Sequence, residues 1–287
     1  MRWTSRSRAA SCGLSCIIIV AAFAGFAPHP ASAALFTLTD GNSIAQFDTA
    51  TQANNFNWFV DGSDILAQQA FWYRIGNVSA EQSVHSLPIA LQGTSDSNFD
   101  GNPDTLFVRY NGPGFRAETH YALNGGLAGS GAADITEQIS ISNLLDSPMD
   151  FHFFQYADFD LSATDTVLFS NANTVQQTGG TGRLTETVAT PVPSHHEGAF
   201  FPLTLNELND ALPTTLSDIP PIGTPISGGD VTWAYEWDVN IPANSTFQIS
   251  KDKHLSLAVP EPTAAGILLC TSAAFLTLRG RKKRPAN

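Results

Sequence analysis

The segment Asp96-Ser97-Asn98-Phe99-Asp100-Gly101-Asn102-Pro103-Asp104 spells D-x-N-x-D-G-x-x-D. Oxygen ligands at alternate positions, followed by a glycine that lets the chain fold back sharply, are what an oxygen-ligated calcium loop needs. In that reading Asp96, Asn98 and Asp100 give side-chain oxygens, Asn102 gives its backbone carbonyl, and Asp104 stands at the ninth position. The twelfth position holds Phe107 in place of a bidentate glutamate. Calcium would then take its last ligand from elsewhere or bind weakly. The same residues also suit a plain turn between strands, because Asp and Asn side chains hydrogen-bond their own backbone.

Three other groupings carry potential chemistry. His195-His196-Glu197 offers imidazoles and a carboxylate for a transition metal, but adjacent histidines on an extended chain point apart and no H-E-x-x-H spacing is present; a polar loop is expected there. Asp158 and Asp160 would share a face of a strand. Such a pair serves glycoside hydrolysis when its carboxyl groups stand about 5–10 Å apart in a cleft, and it can equally cap a strand end or join a cation site. Trp58, Trp72, Trp233 and Trp237 offer rings for a sugar-stacking platform, although Trp233 and Trp237 fall in phase with Val231 and Val239, as core residues do. Thiol chemistry and disulfides are excluded from residues 34–258, since the cysteines are Cys12, Cys16 and Cys270. No G-x-S-x-G, P-loop or dinucleotide fingerprint occurs.

The elements that must position these residues read as strands. From Val231 to Ile241, Val, Trp, Tyr, Trp, Val and Ile alternate with Thr232, Ala234, Glu236, Asp238 and Asn240, the period of a strand with one buried face. Pro242-Ala243-Asn244 comes next as a turn, and Phe247 and Ile249 resume the alternation, which predicts a hairpin. Further strands are expected within Leu35–Leu38, Phe56–Val60, Phe71–Ile75, Thr105–Tyr110, Phe115–Tyr121, Ile135–Ser142, Phe151–Phe159, Thr166–Phe169 and Arg183–Val188, punctuated by Asp61-Gly62, Asn111-Gly112-Pro113-Gly114, Asn124-Gly125-Gly126 and Gly179-Gly180. The fold class is therefore all-β: an antiparallel β-sandwich, jelly-roll-like, with one short surface helix. That helix is expected at Leu205, Leu208 and Leu212, with Thr204 as cap and Pro213 as stop, inside a proline-rich loop from Pro191 to Pro225.

Both ends of the chain read as addresses. Arg2, Arg6 and Arg8 precede the apolar run Gly13–Phe26 and an Ala31-Ser32-Ala33 site before Ala34, the pattern that a secretion channel and signal peptidase read. Residues 1–33 are expected to be a signal peptide cleaved between Ala33 and Ala34. At the other end, Val259-Pro260-Glu261-Pro262 precedes an uncharged apolar run, Thr263–Leu278, and then the basic residues Arg279, Arg281, Lys282, Lys283 and Arg284. As a helix the run reaches about 24 Å, and the basic cluster should stay cytoplasmic. It would hold residues 34–258 outside the inner membrane as one domain. That domain carries 6 basic and 25 acidic residues, a net of −19, which argues against nucleic acid as a partner.

Residues 259–287 resemble the PEP-CTERM sorting signal. Ile135–Leu161 and Gly229–Leu255 are similar to ectodomains often joined to such tails. The resemblance implies recognition by an exosortase, a membrane-embedded cysteine transpeptidase-like enzyme. Cleavage would fall near Pro260-Glu261-Pro262 after an inner-membrane-tethered intermediate, with delivery to the cell surface or extracellular matrix. A non-enzymatic exported protein associated with exopolysaccharide is therefore expected, or alternatively a carbohydrate-binding module with structural calcium. Intact-mass analysis of the exported protein is expected to begin at Ala34 and to lack Thr263–Asn287. A product that keeps Gly13–Phe26 would sink the first expectation, and a surface-located product that keeps Arg279–Arg284 would sink the second.

Overall fold

The computed structural model describes residues 35–258. The signal segment with Ala33 and Ala34, the motif Val259–Pro262, the apolar run after it and the basic cluster Arg279–Arg284 lie outside the described residues. In chain order the elements are β1 Leu35–Asp40, β2 Ser43–Asp48, β3 Asn54–Val60, β4 Ser63–Asp64, β5 Leu66–Ile75, β6 Gln82–Ser83, β7 Ile89–Ser95, β8 Thr105–Asn111, β9 Phe115–Gly125, β10 Ala132–Asn143, β11 Met149–Phe159, β12 Asp165–Asn171, β13 Thr174–Gly179, β14 Gly182–Thr190, β15 His195–Phe200, helix α1 Leu203–Glu207, β16 Ile226–Gly229, β17 Val231–Ile241 and β18 Thr246–Leu257. The first sheet runs β1-β2-β3-β5-β11-β17-β15, with β4 on β3 and β6 on β5. The second runs β16-β12-β13-β14-β18-β10-β9-β8-β7. Pairing is antiparallel except for a short parallel contact of β3 with β5.

The alternation dictates the core. Phe71, Tyr73, Phe151, Phe153, Trp233, Tyr235 and Trp237 point inward from the first sheet and pack against Phe115, Ile139, Ile141, Val167, Leu184 and Ile249 of the second. The expected β-sandwich with one short helix is what forms. Seven strands fall outside the expected segments: the short β4, β6 and β16, and β2, β7, β13 and β15. β13 is rich in Gln and Thr, β2 is a short run of mixed composition, β7 is half exposed, and β15 lies in the region expected to be loop around the helix. There the backbone pairing with β17 overrides a sequence without strand composition.

One layer of the core is ionic. Glu137 of β10, Glu186 of β14 and Lys251 and Lys253 of β18 are each at most 1% exposed. Lys251 Nζ lies 2.5 Å from Glu137 Oε2 and 3.6 Å from Glu186 Oε2. Lys253 Nζ contacts Glu137 and lies 3.1 Å from Glu186. From the opposite sheet, Gln69 Nε2 donates to Glu137 at 2.8 Å and Gln155 Nε2 donates to Glu186 at 3.0 Å. Burial alone would raise the Glu137 carboxyl, but the two lysines outweigh it and hold it below the usual carboxylate range.

Outside the first sheet a second, smaller apolar cluster joins Ala70, Trp72, Phe154, Tyr156 and Ala234 to Leu208 and Leu216, with Leu205 against it. Helix α1 and the chain after it therefore cover this face. Leu205 and Leu208 bury as the spacing predicts, whereas Leu212 is 66% exposed. Thr204 is not the cap: Pro202 occupies that position without a side-chain bond, and Thr204 Oγ1 donates to Glu197 Oε1 at 2.7 Å. The cover also seals an edge, since Ile219 bridges Glu197 of β15. Replacing Glu137 by Gln leaves two buried ammonium groups with a single carboxylate. The expected cost is about 3–5 kcal/mol, read as a lower urea midpoint of the purified protein; a change within error would show that the ionic layer is not a determinant of stability.

Candidate functional site

The residues of the first sheet that alternate with its core side chains form an outer face. On β11 these are Asp150, His152, Phe154, Tyr156 and Asp158, and on β17 they are Thr232, Ala234, Glu236 and Asp238, set side by side by the antiparallel register. The apolar middle lies under the cover. Its two flanks are charged, and they differ in how the charge is compensated.

At one flank His152 Nδ1 is bonded to Asp238 Oδ1 and lies 3.6 Å from Glu236 Oε1, while Nε2 lies 3.7 Å from Asp150. Arg74 Nη2 stands 3.9 Å from Glu236 and its Nη1 pairs with Glu81 at 2.8 Å. His195 Nδ1 meets Asp218 at 2.9 Å and its Nε2 is 3.6 Å from Asp238. Burial would lower the His152 imidazole, yet its bonds to Glu236 and Asp238 outweigh this and raise it. His195 is raised in the same way: burial opposes the shift, and Asp218 outweighs it. The atoms of His152, Glu236 and Asp238 are close enough to hold a metal, but guanidinium and imidazolium already balance these carboxylates. The acids also hold the cover: Glu236 accepts the Leu216 N–H at 2.8 Å, Glu81 that of Thr214 at 2.9 Å and Glu197 that of Ser217 at 3.1 Å.

The other flank is purely acidic. Oxygens of Asp158, Asp160 and Asp230 lie within 4.8 Å of one another. Burial, then Asp230 and Asp160, push Asp158 up to about 7. Asp160 and Asp230 are also raised, first by burial and then by neighbouring aspartates. The sequence pairs Asp158 with Asp160 but hides Asp230, which follows β16 and reaches the pair only through the β11–β17 register.

The residues singled out by type and spacing fall elsewhere. In the turn between β7 and β8, Asp96 accepts the N–H groups of Phe99 at 2.7 Å and Gly101 at 2.8 Å, Asn98 accepts that of Asp100 at 2.9 Å, and Asp100 accepts that of Asn102 at 2.8 Å. Asp104 is turned to Ser97, and Gly101 takes φ +97°. The loop also ties down β1: Thr39 N–H donates to Pro103 at 2.8 Å and Asn98 Nδ2 to Asp40 at 2.8 Å. His195-His196-Glu197 is strand rather than loop. Its outward His195 joins the first flank, and its inward His196 packs on Phe169. Trp58, Trp72 and Trp233 are 0% exposed and Trp237 2%, so none of the four offers a stacking platform.

The outer face of the second sheet is open. Two adjoining cavities of about 380 and 340 Å³ share Thr105 and His120. Gln92, Thr94, Ser95 and Phe107 line the first, and Thr136 and Gln138 the second. The rings of Phe107 and His120 are 4.5 Å apart between centroids. Among the described residues, no carboxylate, ammonium or guanidinium lines either cavity. Phe107, which breaks the calcium-loop pattern, is thus a wall of this groove.

No protein-family profile and no curated protein matches the chain. Among solved structures it is similar to a candidate aldose 1-epimerase from Escherichia coli K12, at 9% identity and TM-score 0.48, covering 79% of this chain and 99% of that one. It is similar to a galactose mutarotase-like protein from Lactobacillus casei at 8% identity and TM-score 0.46, covering 78% and 100%. A heparan sulfate lyase from Pedobacter heparinus aligns at 8% identity and TM-score 0.46, covering 81% of this chain and 36% of that one. These findings correct one expectation, that the chain is not an enzyme: the solved structures to which it is similar carry the names of enzymes. A sandwich of this kind gives no ground for excluding catalysis, because activity resides in sites set on a fold.

The first flank carries a pH dependence. An imidazole raised in the folded state stabilises it fully below its ordinary value of about 6.5 and loses that contribution as pH rises through the raised value. The urea midpoint of the wild type is expected to fall between about pH 6 and 8.5, and that of His152→Gln to fall less. Equal slopes would show that His152 carries no net coupling to folding.

Proposed function

We propose that the chain is an exported surface protein, sorted through its PEP-CTERM-type tail, whose β-sandwich holds an extracellular saccharide along the outer face of the second sheet. The observation that carries the reading is the uncharged groove built on Phe107 and His120. Hydroxyl and amide side chains match the donors and acceptors of a sugar, and a ring offers its face to the apolar side of a pyranose. A shallow groove across several strands admits a long polymer laid over it. The net charge of −19 over residues 34–258 favours neutral glycans over acidic ones. Signal peptidase and exosortase would be the processing partners, and the cell surface or matrix the destination.

Affinity electrophoresis of the exported protein in gels containing neutral polysaccharides, with an acidic one for comparison, tests this. Retardation by a neutral polymer is expected, with an approximately tenfold loss for Phe107→Ala and for His120→Ala, the order of one aromatic contact. No retardation by any neutral polymer, or equal retardation of wild type and both variants, would overturn it.

A further inference from the structure

In a folded chain a buried carboxylate either meets a cation or accepts hydrogen bonds, because an unpaired one is costly. Most of the buried acids here obey that rule. Glu137 and Glu186 face lysines, Glu81 faces Arg74, Glu236 accepts a backbone N–H, Glu197 accepts Thr204, and Asp165 accepts Gln177. Asp158 departs from it. It is 4% exposed, and its Oδ1 has no hydrogen-bond partner. The charged neighbours that act on it are Asp230, Asp160 and Asp165, and those acting on Asp160 are Asp230, Asp165 and Asp64. The phenol of Tyr156, fully buried, lies beside Asp158, Thr232 and Asp230, and its hydroxyl makes no hydrogen bond of ordinary length. A concentration of like charge around a buried carboxylate oxygen with no hydrogen-bond partner calls for a counter-ion.

We propose that Asp158, Asp160 and Asp230 form a binding site for a divalent cation of the hard, oxygen-ligated class, best matched by Ca²⁺. All three donors are carboxylates, with no imidazole or thiol among them, which disfavours a transition metal. Asp160 and Asp230 are exposed, so water can complete the larger and more flexible shell that calcium accepts. The three come from the end of β11 and the start of β17, so the ion joins two strands at the rim of the first sheet. It also reaches the cover, because the Phe201 N–H donates to the Asp230 carbonyl at 3.0 Å. The Asp96–Asp104 loop differs in kind: its carboxylates already accept the loop's own amides.

The test is thermal unfolding of the exported protein, stripped with EDTA and then titrated with CaCl₂, MgCl₂ or ZnCl₂. For a site of extracellular affinity, about 10⁻⁴ to 10⁻³ M, 10 mM calcium is expected to raise the wild-type melting midpoint by about 4 °C, with a smaller rise for magnesium. Asp160→Asn and Asp230→Asn should each lose the calcium-dependent rise while their metal-free midpoints stay the same or increase, since a repulsive charge has gone. That pattern separates loss of the site from loss of the fold. Asp100→Asn should keep the rise. No calcium shift in the wild type, a shift that survives in Asp160→Asn and Asp230→Asn, a shift lost only in Asp100→Asn, or a response to zinc alone would each overturn the proposal.

Discussion

Four opposite charges must be neutralised in the middle of an apolar core, and that requirement sets how the two sheets meet. Glu137, Glu186, Lys251 and Lys253 all belong to the second sheet, where the β14–β18–β10 order brings them together. They still leave carboxylate lone pairs to be filled, and Gln69 and Gln155 of the first sheet fill them. Sliding one sheet over the other by a residue pair would withdraw both amides and strand the ions. An apolar layer tolerates such slippage far better, since hydrophobic contact is non-directional.

With that register set, the remaining arrangement is constrained. Gln155 points inward, so Tyr156 and Asp158 point outward, and so do His152 and Phe154. The aromatic strip on the outer face then needs cover, which α1 and its following chain supply through Leu208 and Leu216. The two sheets thereby acquire different exteriors: the first is roofed and flanked by charge, the second is open and polar.

Much of this is legible in the sequence, for identifiable reasons. Val231–Ile241 declares itself because ten of its eleven residues alternate, Ala234 alone breaking the pattern, and Leu205 and Leu208 declare a buried helical stripe. The ionic layer is also written there, since Lys251 and Lys253 fall in phase with Ile249 and Leu255, and Glu137 with Ile135 and Ile139. A composition-based expectation that lysine is exposed masks it. Other features could not be read locally. Asp230 joins Asp158 across 72 residues of sequence, and Phe107 meets His120 only through the β8–β9 pairing. The Asp96–Asp104 pattern shows the converse: a strong local motif whose oxygens are drawn into the loop's own turns.

Each free edge of the first sheet is met by chain that belongs to something else. Pro103 accepts the Thr39 N–H on the β1 side, and Ile219 bridges Glu197 on the β15 side. A border amide that is already engaged is not offered to a strand from a neighbouring molecule. On the β15 side this means that a strand added from another copy would first have to displace the chain after α1, so the segment that roofs the outer face also guards that border.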